Sequence, residues 1–131
     1  MTNPIQPVVE LAFDERMFAS LPLAVQKALG TTTLEIEFDF ESIARAEQEM
    51  KRPLLMGLTQ EEVSRPTIAF VRSMLYHGLR VNHEAITCDE ASALVTAKTI
   101  TPIWSAVLTA FVNAIRDDDE EDLPDPTTGQ V

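Results

Sequence analysis

Polar and apolar residues alternate from Thr33 to Phe40, with Leu34, Ile36, Phe38 and Phe40 on one side and Thr33, Glu35, Glu37 and Asp39 on the other. A period of two is that of a half-buried strand, so Thr31 to Phe40 is expected to form one, its acidic face toward water. A lone strand leaves its backbone groups unpaired. Val8 to Phe13 is the best local partner; failing that, the pairing strand belongs to another subunit. Between these segments, Asp14 to Leu29 reads as a helix interrupted at Pro22 and ended by Gly30. Residues 1–7 hold two prolines and no periodicity, which predicts a loose end.

Helical signals follow the strand. Glu41 to Lys51 places Ile43, Ala46 and Met50 on one side and is closed by Pro53. Thr59 with Glu62 makes a capping box, with Leu58 and Val63 as its hydrophobic staple. That turn either runs on or breaks near Pro66. Over Pro66 to Arg80 the residues Ile68, Val71, Leu75 and Leu79, with Met74 and Gly78 nearby, form an apolar face. His77 falls on the opposite, solvent side. A second capping box, Thr87 with Glu90, opens a shorter helix to about Ala97 that buries Ala91, Leu94 and Val95. Thr101 is expected to cap the last helix, with Pro102 at its first position. The fold class expected is α+β and mostly helical: one or two short N-terminal strands, then about four helices.

The last helix, Thr101 to Arg116, is apolar around most of its circumference. At about 100° per residue, Pro102, Ser105, Thr109, Asn113 and Arg116 share a stripe roughly 80° wide. The rest of the cylinder is hydrophobic and needs cover on more than one side, which a small domain supplies with difficulty, so a second surface from a subunit or partner is expected. Trp104, Leu108, Phe111 and Ile115, with Phe70 and Met74 as neighbours, are the candidate partner-binding residues. Trp104 leads them because Trp is enriched at binding hot spots.

Charge changes this picture at one end. The 131 residues carry a net charge of −11, but seven of the 21 acids follow Arg116, leaving 14 acids against 10 Lys and Arg in residues 1–116. Residues 1–30 read as an N-terminal segment, 31–116 as a strand plus helical domain, and 117–131 as a disordered acidic tail. Arg65, Arg72 and Arg80 are scattered rather than massed, which argues against a nucleic-acid surface. The most apolar window, Ile103 to Ile115, is shorter than the ~20 residues that span a membrane. A single cysteine, Cys88, and the lack of a basic-then-apolar leader point to a soluble protein of the cytoplasm.

Chemistry-bearing motifs are sparse. His77, His83 and Cys88 match no zinc spacing, and Thr87 stands where a zinc-peptidase motif beginning at His83-Glu84 requires histidine. Four glycines, none near another, make no phosphate loop. The acidic pairs at Glu61-Glu62 and Asp89-Glu90 are what helix N-termini favour. No catalytic, metal or cofactor site is expected, and the chain reads as a binding protein rather than an enzyme.

The order of signals from Leu34 to Arg116 resembles a known family. A strand ends in Glu37-Phe38-Asp39 and enters a helix carrying Ala46-Glu47-Gln48-Glu49; then come Leu54-Leu55 and a helix ending Ser73-Met74-Leu75-Tyr76-His77-Gly78-Leu79. The link Asn82-His83-Glu84-Ala85-Ile86-Thr87 leads into Asp89-Glu90-Ala91, a short helix and the final apolar one. This is similar to the tail assembly chaperones of long-tailed bacteriophages and of related prophage or gene-transfer-agent tail clusters. The resemblance covers about two thirds of the chain; it departs at the front, where Asp14 to Leu29 stands in place of a hairpin leading directly into the strand. It implies a protein absent from the mature virion that coats the tape measure protein and helps recruit tail tube subunits. Many members also have a longer product made by translational frameshift. The alternative is a structural tail or head–tail component retained in the particle.

Overall fold

In a computed structural model the described residues are 8–30 and 32–115. The expected loose end and the acidic tail lie outside them. Two strands, β1 (Val9–Ala12) and β2 (Thr33–Ile36), pair antiparallel with Val9 opposite Ile36 and Leu11 opposite Leu34. β2 therefore finds its partner within the chain. Phe13 N–H donates to Thr32 C=O at 2.8 Å, one step beyond the ladder. The interrupted helix between the strands is two helices, α1 (Glu15–Ala19) and α2 (Leu23–Leu29), with Pro22 at the N-cap of α2 and Gly30 ending it at φ 66. Both are the expected backbone effects: proline lacks the donor, and glycine accepts the left-handed conformation.

Strand character ends earlier than alternation predicts. Asp39 accepts Ser42 N–H at 2.7 Å and caps α3 (Phe40–Met50), so Phe40 becomes the first helical residue and stands 73% exposed instead of joining Leu34, Ile36 and Phe38 in the core. Those two Ser42 hydrogen bonds, backbone and hydroxyl, hold the Asp39 carboxyl below its ordinary range. Lys51 closes α3 in the left-handed region at φ 58. Glu47 then accepts Leu54 N–H at 2.6 Å and Leu55 N–H at 3.0 Å, which lowers its pKa and ties the following loop to the helix.

The Thr59–Glu62 box is formed and opens α4 (Gln60–Ser64), which stops at Arg65. Pro66 lacks an N–H, and Thr67 starts α5 (Ile68–Leu79) by accepting Phe70 N–H at 3.0 Å. Among the described residues five helices thus follow β2, where about four are expected. The Thr87–Glu90 box opens α6 (Cys88–Leu94), shorter than expected but burying Ala91, Leu94 and Val95. Thr101 caps nothing. The chain turns one step sooner, where the buried Thr99 hydroxyl donates to Leu94 C=O at 2.6 Å and accepts Thr96 N–H at 2.8 Å. α7 (Ile100–Ile115) begins there, and Pro102 still sits in the first turn, whose N–H groups have no helical partner.

α5 lies at the centre, packed on α3, α6, α7 and β2, while α7 is wedged between α5 and the strand pair. Phe38 and Phe111 meet edge to face at 5.6 Å between ring centroids. One core holds these residues together with Phe13, Leu21, Val25 and Leu29, so residues 8–30 pack into the same hydrophobic cluster as the rest. The fold is mostly helical with two short antiparallel strands, the α+β class expected.

Candidate docking groove

Wedging hides more of α7 than a count of its apolar residues suggests. Ile103, Trp104, Ala106, Val107, Ala110 and Phe111 are buried, because α5 and the strands cover two sides of the cylinder. Of the six candidate partner-binding residues, Met74 (0% exposed) and Phe111 (1%) are core and present no surface. Phe70, Leu108 and Ile115 are partly buried against that core. Trp104 is 8% exposed; its indole N–H donates to Val63 C=O at 2.9 Å and its ring meets Phe70 edge to face at 5.7 Å. Phe70, Trp104 and Leu108 are thus brought to one side of the molecule, with Met74 and Phe111 beneath the surface as packing.

The side left open is a groove. A cavity of about 530 Å³ runs between the α4–α5 joint (Ser64, Arg65, Pro66) and the outer face of α7 (Ile100, Trp104, Leu108). Ile100 also lines a second, largely apolar cavity of about 240 Å³, bounded by Ile68 and Arg72 of α5 and Val95 of the α6–α7 turn. Ile100, Trp104 and Leu108 recur at four-residue spacing and so share one helical face. Ile68, expected in the core, is 55% exposed. It sits in the first turn of α5, at the open joint that Pro66 creates. Ile100, which lines both cavities, and Ile68, which lines the smaller one, are missed by pattern reading: Ile100 because the expected helix start at Thr101 falls one residue after it, Ile68 because its spacing matches the core stripe.

The other expected sites fall elsewhere. His77 is buried, not on the surface, because α3 packs against α5 there: its Nε2 lies 2.6 Å from Glu49 Oε1, and its Nδ1 has no hydrogen-bond partner. His83, on the loop after α5, accepts Glu35 N–H through Nε2 at 3.0 Å, which requires a neutral ring; burial lowers its pKa, partly opposed by the Glu35 charge. That bond and the 2.8 Å bond from Glu37 N–H to Gly78 C=O satisfy backbone donors of β2 and its extension without a further strand. Cys88 is exposed at the start of α6. Among the described residues no group of three or more His, Cys, Asp or Glu is placed to hold a metal, and no helix is long and apolar enough to cross a membrane. A polar cavity of about 340 Å³ includes Asp39, Arg45, Arg80 and Glu84, with Asp39 already engaged in capping α3.

A cleft of this size, whose α7 wall presents Ile100, Trp104 and Leu108 beside the polar Thr101 and Ser105, is suited to burial of side chains from a partner segment. Comparison with known protein families, curated proteins and solved structures finds no match to the chain.

Proposed function

We propose that this protein is a tail assembly chaperone, which binds the tape measure protein of a long-tailed phage or related particle and helps recruit tail tube subunits. The observation that carries the reading is the groove beside Ile100, Trp104 and Leu108, a face of the longest described helix that the described residues leave partly open. A tape measure protein is long and helical with exposed apolar stripes, and it must stay soluble until the tube encloses it. A helix laid in the groove would bury such a stripe by insertion of residues spaced i, i+3, i+4, i+7. The order of strand, cap and helix signals from Leu34 to Arg116 supports the same assignment by resemblance. The proposed site of action is the cytoplasm of the infected or producing cell. No catalytic step, metal or cofactor enters this mechanism.

Co-expression tests it. A tape measure protein encoded in the same genome is expected to remain in the soluble fraction with this chain present and to aggregate without it. Mass spectrometry of purified particles is expected to find the chain missing. Equal solubility in both cultures contradicts the chaperone reading, and stoichiometric presence in particles favours a retained structural component instead.

A further inference from the structure

The two cavities that meet at Ile100 differ in sign from the chain as a whole. Against a net charge of −11, their charged lining residues are Arg65 and Arg72, and no carboxylate lines either one. Arg72 donates to a neutral group, Val95 C=O at 3.3 Å, and among the described residues neither arginine has a carboxylate within salt-bridge distance. The acids nearest in sequence, Glu61 and Glu62, belong to α4, where Glu62 is engaged by Thr59 N–H and by Arg52. Lys98, exposed on the α6–α7 turn, follows in sequence Ala97, which lines the smaller cavity.

Two guanidinium groups without acidic partners among the described residues, set at an apolar cleft, determine what can cover it. An occupant that desolvates them without offering acceptors pays a penalty, and a cationic one is repelled. We propose that the groove receives an amphipathic helix whose apolar stripe is bordered by carboxylates. The stripe enters between Leu108, Trp104, Ile100 and Ile68, and the carboxylates meet Arg65 and Arg72, whose planar donors suit bidentate pairing. This inference rests on the groove being the docking site and adds the partner's charge pattern.

The full chain is titrated with two labelled synthetic helices of about five turns, identical in a leucine stripe spaced for groove binding. One carries Glu and the other Lys at the flanking positions, and binding is read by fluorescence anisotropy. The Glu peptide is expected to bind about tenfold more tightly at low salt, with the gap narrowing as salt rises. Arg65→Glu, which alters a side chain with no bond to another described residue, removes part of the preference, and Arg65→Glu with Arg72→Glu reverses it. Thermal denaturation of each variant accompanies the titrations. Equal affinity for the two peptides, or a Glu preference that survives the double substitution in a folded protein, overturns the proposal. If binding is equal but abolished by Leu108→Glu, the groove stands and only the charge pattern falls. If neither peptide binds, or sedimentation shows a second copy of the chain closing the face against them, the inference fails while co-expression judges the chaperone reading separately.

Discussion

Gly78 packs α5 against Ile36 of β2 and the following Phe38, and replacing it with alanine measures that approach. It is buried in the last turn of α5 with its carbonyl accepting Glu37 N–H at 2.8 Å. A Cβ at this position would lie 2.9 Å from Ile36 Cγ2 and 3.0 and 3.1 Å from Phe38 Cζ and Cε2. Carbon atoms at optimal contact stand about 3.5–4.0 Å apart, so the methyl group intrudes on both residues at once. Neither yields easily. Ile36 is fully buried and β-branched, and the Phe38 ring is held edge to face against Phe111. Overpacking of this kind costs about 1–3 kcal/mol, against at most about 1 kcal/mol returned by the better helix propensity of alanine. The net expectation for Gly78→Ala is a loss of about 1–2 kcal/mol, or a fall in Tm of about 3–8 °C for a chain of this size. Thermal and urea denaturation followed by circular dichroism at the helix band reads it, with Gln48→Ala on the open face of α3 as a control expected to stay within about 0.5 kcal/mol. A Gly78→Ala protein as stable as the parent, or more stable, would show that α5 does not press on Ile36 and Phe38 as described.

Other substitutions probe the site's supports. Trp104→Phe keeps an aromatic ring beside Phe70 but removes the donor to Val63 C=O; a loss of about 1–2 kcal/mol is expected in urea denaturation, and an unchanged midpoint would mean that this bond does not fasten α4 to α7. The folded-state pKa of His83 is depressed, so the unfolded chain binds its proton more readily and stability falls as pH drops from the unfolded value of about 6.5 toward the folded one. His83→Gln is expected to flatten that part of the stability-versus-pH curve, whereas an unaltered slope would contradict the neutral, hydrogen-bonded imidazole.

Local chemistry was legible from sequence where a few adjacent residues decide the outcome. The boxes Thr59–Glu62 and Thr87–Glu90, the break at Pro22 and the left-handed end at Gly30 each depend on residues within one turn. Phe40 illustrates the limit: the alternation continued through it, but the Asp39 cap turned the chain into α3 first, and a cap outcompetes a pattern of period two at its end. His77, expected on the solvent side, and Met74 and Phe111, named as partner-binding candidates, are buried for a different reason. Their exposure is set by which helix lies opposite, α3 over His77 and the strand pair with α5 around α7, and no periodicity carries that information. The groove had a partial sequence signal. The greasy circumference of α7 and Trp104 were visible, but Ile68 and Ile100 enter only once the Pro66 joint and the Thr99 turn fix where α5 and α7 begin.

The central claim is that the groove between the α4–α5 joint and α7 holds a helical partner. The most direct measurement co-expresses the tape measure protein with Ile68→Asp/Leu108→Glu and, separately, with Phe40→Ser/Met56→Ser, which alters two residues 73% and 90% exposed that line neither cavity of the groove. With both variants folded, the groove pair is expected to leave the tape measure protein insoluble and the control pair to keep it in solution as the parent chain does. Solubility retained with the groove pair, or lost only with the control pair, would contradict the account.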